Sequence, residues 1–409
     1  MWLMPNELHP TTRRLLAARA VRSVAQGALV ADLSLYLHAL GWSGFSIGLT
    51  FTAGGLIAAA LSIVIGVASD RHTRKTFLLG NELLTVLCGL APLITGSTAA
   101  LAAAVIVGGF GRGSNGSAGP FAPAEQAWLA EAVPATRRGW VYSLNTALGF
   151  FGMAAGALLA ILPAFWVHRF GVRWAYSPIF VLVALGGALN LWLLSGAHEQ
   201  RATPAAHTIV NKERGSQTRR FENHVLWRLF QLNTLNGLSI GLTGPLIAYW
   251  FALRFQLGPA AIAPMMAVTF ALTGVTSILA GKFSERHGLV TSVLWARGIG
   301  VALLALLPLS PWFWMAALIY MLRLASSGAS LGARQAQIVS LVRDERRGLA
   351  ASVNAASFQV PQSLGPGVAG PMIAEGMFMT PFYIAAALQA IYVAGYGRVF
   401  RRYERGMRK

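Results

Sequence analysis

GGFGRGSNGSAGPFAPAEQAW, residues 108–128, spells G-x-G-x-x-G at Gly111, Gly113 and Gly116, with an acid, Glu131, twenty residues after the first of them. Two readings compete for these glycines. A dinucleotide site needs them in a tight turn between a parallel strand and a helix, where free amides in water meet a pyrophosphate. In a membrane span they are instead small surfaces on which helix backbones approach closely. The run that leads into them, LAAAVIVGGF at residues 101–110, is apolar and Ala-rich. It sets the glycines halfway across a hydrophobic segment, and a fingerprint without its strand and helix is weak. The stretch therefore reads as membrane helix, and no cofactor is expected.

The rest of the chain agrees. Its 409 residues are 55% hydrophobic and only 11% charged, where soluble domains carry about 25% charged residues. So little charge cannot coat a globule of this size, and the mean hydropathy of +0.55 points to a bilayer as the solvent. The N-terminal MWLMPNELHPTTRRLL lacks the basic, apolar and small-residue order of a cleavable signal, so the first hydrophobic segment is expected to stay. The single cysteine, Cys88, reads as packing.

Twelve segments have spanning length, near residues 13–40, 44–69, 76–95, 98–130, 138–165, 174–195, 224–251, 259–281, 290–308, 312–342, 347–373 and 380–399. The net charge of +19 is dispersed over the connections, unlike the clustered face of a nucleic-acid binder, so no nucleic acid is expected. Arg13, Arg14, Arg71, Arg74, Lys75, Arg137, Arg138, the stretch 201–220, Lys282, Arg286, Arg343, Arg346, Arg347 and the tail fall on one side; only Arg169, Arg173 and Arg254 fall on the other. Basic residues mark the cytoplasmic side, which predicts both termini in the cytoplasm of an inner-membrane protein that also attracts anionic lipid.

The chain also echoes itself. GVASDRHTRK (residues 66–75) after the second segment returns as GKFSERHG (281–288) after the eighth, and AEQAWL with RRGWVYSLN returns as ARQAQI with RRGLAASVN. Gln126 pairs with Gln335 and Gly139 with Gly348 at one offset. Ordered matches at near-constant separation indicate a duplication of six helices. The expected fold is an all-α membrane protein of twelve transmembrane helices in two pseudo-symmetric six-helix bundles, residues 1–198 and 223–409, joined by a hydrophilic linker at 199–222.

On these features the sequence resembles the major facilitator superfamily. The likeness extends over essentially the whole chain and includes a loop signature of the form G-x-x-x-D-R-x-G-R-K. It stands here as Gly66, Asp70, Arg71, Arg74 and Lys75, with Thr73 where the family often has glycine. The resemblance implies a secondary transporter that moves a small organic solute by alternating access. It also implies that Asp70 and Glu285, with Gly281 and Arg286 in the repeat, brace the cytoplasmic gate against the eleventh and fifth helices, where a carboxylate gains from helix N-terminal amides. Topology signalling is the plainer use of these charges.

Ionisable residues within spans select the candidate pathway, because a charge near the bilayer centre costs at least about 2.5–3.5 kcal/mol unless it faces a partner or water. Arg112 with Asn115 resembles the family's fourth-helix R-x-x-Q-G pattern, implicated there in protons or anionic groups; a purely helix-bridging arginine is the alternative. Asp32 is the only acid on the first helix. It is either a proton-exchanging carboxyl in a dry cavity or a boundary residue bathed in water. Glu125 and Arg334, at equivalent positions with opposite charge, are expected either to meet across the pseudo-twofold axis when the inner gate shuts or to pair each within its own half. Gln126 and Gln335 are candidate cavity hydrogen-bonders. Arg323 lies mid-span on the tenth helix, and with Arg112 it tilts the solute toward an anionic or polar one over a cationic one.

Gly149, Gly152 and Gly156 on the fifth helix, and Gly365, Pro366 and Gly367 on the eleventh, are candidate bending points. Antiporters that the chain resembles carry Gly-Pro on the fifth helix; here it stands on the eleventh. The histidines, the lone cysteine and the acids form no ligand or nucleophile pattern, so neither a metal nor an enzyme is expected. Three functions stay open: a proton-coupled transporter, including an exporter, that works as a monomer; an organic-anion facilitator or exchanger built on the arginines; and a lipid-handling or non-transporting permease-like protein.

Overall fold

A computed structural model describes residues 9–68, 73–111, 113, 119, 122–133, 138–199, 212–340 and 347–407. Among them there is no strand. In the first half, the helices are α1 (Pro10–Ala39), α2 (Gly44–Ala68), α3 (Arg74–Ile94), α4 (Thr98–Gly108), α5 (Ala122–Glu131), α6 (Arg138–Leu159) and α7 (Leu162–Ser195). The second half follows with α8 (Lys212–Thr243), α9 (Ile247–Phe255), α10 (Pro259–His287), α11 (Leu289–Leu306), α12 (Phe313–Ser340), α13 (Arg347–Ala374) and α14 (Thr380–Met407). Helix α8 starts inside the stretch expected as linker. The seventh span is a pair, α8 and α9, bent by 40°.

The fourth span corrects the sequence reading: it is not one helix. Ser97 caps the start of α4, its Oγ accepting from the Ala100 amide at 3.4 Å. The helix stops at Gly108, because Gly109 turns left-handed at φ 64°, an αL C-cap open to glycine at no steric cost. Gly111, Gly113 and Gly119 also have positive φ, and the next described helix begins at Ala122. The glycines supply backbone freedom, and the span is broken between α4 and α5.

Length and apolar composition alone qualify α2, α3, α6, α7, α10 and α11 as spans, with the bent pair α8 and α9 as a seventh. In the fourth span α4 and α5 are each too short, and α1 and α12 carry polar residues inside the protein. Helix α1 buries Arg19, Ser23 and Asp32, and α12 buries Arg323 and Ser330.

Packing follows the duplication. Helix α1 packs on α6 and α7 as α8 packs on α13 and α14; α3 packs on α7 as α11 packs on α14. Between the halves, α2 meets α13 and α6 meets α10, a pair of contacts that the pseudo-twofold exchanges. Glycines set the closest approaches. A Cβ on Gly152 would stand 2.6 Å from the Ala20 carbonyl oxygen, and one on Gly156 would run into that of Val24. Gly365 meets the backbone of Gly241 in the same way. The predicted bending points of α6 thus serve as contact points on α1, while α13 holds Pro361, Pro366 and Pro371 inside the helix. Pro366 and Pro371 remove ladder donors, and the Gly367 amide donates across the halves to Thr52 Oγ1 at 2.9 Å.

The apolar core is asymmetric along the bundle axis. Away from the face that carries both termini, one cluster joins the halves: Leu33, Tyr36, Phe51 and Phe180 with Trp250, Phe251, Met266, Phe313 and Phe382. Toward the terminal face, the described core residues divide into separate clusters. One lies around Leu15, Trp128 and Leu194, the other around Leu232, Tyr392 and Phe400. Among the described residues, the apolar core thus joins the halves at one face and divides between them toward the other.

Candidate functional site

Where the halves part, a cavity of about 1130 Å³, counted to its open mouth, runs into the first half. Its wall includes Arg22 and Gln26 of α1, Phe51 of α2, Glu82 of α3, Asn190 of α7 and Gln362 of α13. Gly108, Gly109, Gly111, Gly113 and Gly119 of the broken span also line it. Non-helical backbone at membrane depth is tolerated where it lines such a cavity or is buried in protein. Gln26 Nε2 donates to the Gly113 carbonyl at 3.1 Å, satisfying one group that the break frees.

The cavity wall holds an ionic cluster. Arg22 donates through Nε to Glu82 Oε1 at 2.7 Å and through Nη1 to Glu125 Oε2 at 2.5 Å; Nη2 lies 2.6 Å from Glu82 Oε1. Glu82 Oε2 accepts from Asn190 Nδ2 at 3.2 Å. Arg19, one turn before Arg22, is buried with its guanidinium against Gly149. Two arginines and two glutamates make a neutral quartet, which is how buried charge is normally tolerated. Glu125 therefore pairs within its own half. Arg334 and Gln335 lie on α12, but their side chains fall outside the described residues.

Asp32 sits higher on α1. It is 0% exposed, and neither carboxylate oxygen has a hydrogen-bond partner among the described residues. One turn on, Tyr36 packs tilted against Tyr176 and edge-to-face against Phe180 of α7, at 5.0 and 5.5 Å between ring centroids. This burial removes the reading of Asp32 as a boundary residue in water. Arg323 is also buried, its Nη2 3.4 Å from Thr243 Oγ1 at the end of α8, and it does not line the described cavity. Gln126 is half-buried, its carbonyl accepting from Tyr142 Oη at 3.3 Å.

The loop signature is described only in part. Asp70, Arg71, Arg112 and Asn115 lie outside the described residues, as do the side-chain surroundings of Gly66, Gly281, Glu285 and Arg286. Lys75 Nζ donates to the carbonyls of Ser195 and Ala197, at 2.5 and 3.0 Å, closing the end of α7 as a cation should. The Glu199 carboxylate in turn accepts from the Arg74 and Lys75 amides, both at 3.1 Å. These contacts tie the first half's own helices together.

Sequence reasoning missed Arg19, Arg22, Glu82, Asn190 and Glu199. The signal for the first three was available: each is an ionisable residue more than a turn inside an apolar segment, which by default marks a functional position. Among the described residues no group of His, Cys, Asp and Glu could hold a metal.

Comparison with known proteins agrees with this architecture. The Major Facilitator Superfamily profile matches residues 15–233 and again 229–406. The chain is 25% identical over 377 residues to "Multidrug resistance protein MdtG" of Salmonella arizonae, covering 88% of each protein. In fold it resembles a D-xylose-proton symporter, with a TM-score of 0.70 at 14% identity over 94% of this chain and 96% of that one. It also resembles the inward-facing, unoccupied form of a bacterial homologue of the human lysosomal transporter Spinster, with a TM-score of 0.65 at 16% identity over 94% and 95%. An all-α, two-bundle membrane fold, a cavity between its halves and a profile that matches the chain twice together make this protein a member of the Major Facilitator Superfamily, a non-enzymatic membrane transporter.

Proposed function

We propose that this transporter exports a small organic solute from the cytoplasm across the inner membrane, in exchange for protons taken up by the buried acids of its first half. The observation that carries the reading is Asp32. Its carboxyl group is sealed among apolar and aromatic side chains with no partner on either oxygen. An ionised group there is costly, and a proton removes the cost. Glu125 supplies a second station: its Oε1 is buried and unpartnered, and protonation would release its hold on Arg22. Solute and proton then bias the same two states through differential contacts.

Direction is supported by the printed name of the Salmonella relative, a multidrug resistance protein. The basic connections support an orientation with the terminal face and the open cavity toward the cytoplasm. A single chain suffices, since the duplication supplies both rocking bodies. Inverted vesicles that contain the protein test the proposal: a fluorescent lipophilic dye should accumulate when the lumen is acid and stop when the gradient is collapsed. Dye movement indifferent to the gradient would leave a facilitator in its place.

A further inference from the structure

We propose that the start of α7, residues 162–170, is a short helix lying along the bilayer surface at the face away from both termini, where Arg169 holds the headgroup of a phospholipid with net negative charge. Helix α7 is 34 residues long, about 51 Å at the α-helical rise, whereas about 30 Å crosses the hydrocarbon. It is broken at Gly171, whose φ of 76° and ψ of 167° are not helical. Residues 172–195 suffice for the crossing, and residues 162–170 are left outside it. Pro163 is buried, and Val167 and Val172 pack on the apolar cluster that joins the halves. That cluster fixes the segment at the end of the bundle opposite the termini.

The outward side of this segment is aromatic with a cation among the rings. Phe165, Trp166, Arg169 and Phe170 are exposed. Arg169 follows Phe165 by four residues and Trp166 by three, the spacings that bring side chains together on one helical face. Phe165 is 68% exposed, and Trp174, in the first turn after the break, 64%. Such rings belong at a bilayer interface, at headgroup depth. The charge selects the lipid. Arg173 turns to the protein, since a Cβ on Gly96 would stand 2.7 Å from its Nη1. Arg169 lies over the Phe170 ring, 5.7 Å from the centroid, and no Asp or Glu stands between Glu131 and Glu199 to neutralise it. A guanidinium pairs with phosphate through two parallel hydrogen bonds. In a zwitterionic lipid the phosphate already has a cation beside it, so a headgroup with net negative charge gains more. The second half has no counterpart: residues 375–379 join α13 to α14, and their one ionisable group is Glu375.

The test reads the lipid beside this segment. The sole cysteine, Cys88, is replaced by alanine, and the full-length Phe165→Cys protein is labelled with bimane. It is reconstituted in phosphatidylcholine vesicles that hold a small fraction of phosphatidylglycerol or phosphatidylcholine, each with a nitroxide on the acyl chain close to the headgroup. The association read from quenching should favour phosphatidylglycerol by about five-fold, the attraction of one basic residue to an anionic headgroup. Adding Arg169→Gln should bring the ratio to one. Trp174→Cys carries the label if Phe165→Cys fails to fold. Equal quenching by the two lipids, or a preference that survives Arg169→Gln, would overturn the site. So would quenching by aqueous iodide and by neither lipid, or self-quenching that rises with the protein-to-lipid ratio and marks a second copy as the occupant. No solute, flux or gradient enters the measurement, so failure of the export reading leaves its result untouched.

Discussion

The two halves share one plan of packing and differ in what they bury. In the first, α1 sends Arg22 to Glu82 and Glu125, and Asp32 is enclosed nearby. In the second, the corresponding helix α8 uses amides. Asn233 Nδ2 donates to Asn354 Oδ1 at 2.8 Å and to Ser357 Oγ at 3.1 Å, and Gln389 Nε2 donates to Asn236 Oδ1 at 3.3 Å. The buried carboxyl groups among the described residues, Asp32, Glu82 and Glu125, all belong to the first half, while the second buries Arg297 and Arg323. Among the described residues, duplication kept the scaffold and divided the buried chemistry: carboxyl groups lie in the first half, and α8 of the second makes its contacts through amides.

The largest effect expected from this contrast is on stability. Arg22→Ala leaves two buried carboxylates without their cation, and breaking such a pair typically costs about 3–5 kcal/mol. Thermal unfolding in detergent should show a severely destabilised protein that Glu82→Gln with Glu125→Gln partly restores. A loss no larger than that of an amide variant would break the contrast. Next come the close approaches, which should be alike in both halves. Gly156→Ala and Gly365→Ala each push a methyl group into backbone and should cost about 1–3 kcal/mol. If only one of them is sensitive, the packing symmetry is weaker than the fold implies. The smallest effect belongs to the amide half, where Asn233→Ala should cost only about 0.6 kcal/mol, the average for hydrogen bonds between membrane helices.

The duplication was legible because Gln126 with Gln335 and Gly139 with Gly348 keep one offset, and the apolar segments located most spans, though α7 and α8 begin about twelve residues earlier than expected and the fourth span is broken. Glu125 was legible as an intramembrane acid. Its partner was not, because choosing between Arg22 in its own half and Arg334 in the other depends on how far the bundles have parted, which no local pattern encodes. The glycines of the fourth span were read as contact surfaces, a role that Gly152, Gly156 and Gly365 do fill. At Gly109 and Gly111 the positive φ decided instead, and the same residue type serves either use until the cavity beside it is known. Asp32 was placed correctly on its helix, yet its burial came from the α1–α7 contact and could not be read from α1 alone.

The most direct test of the account is gradient-driven dye movement in vesicles that contain the Asp32→Asn protein beside the unaltered one. An amide fills the same space and cannot take up the proton, so the variant should still exchange dye across the membrane at equal pH while losing the acceleration that an acid lumen gives. If Asp32→Asn responds to the gradient as the unaltered protein does, the proton does not travel on Asp32 and the proposed division between the halves is wrong.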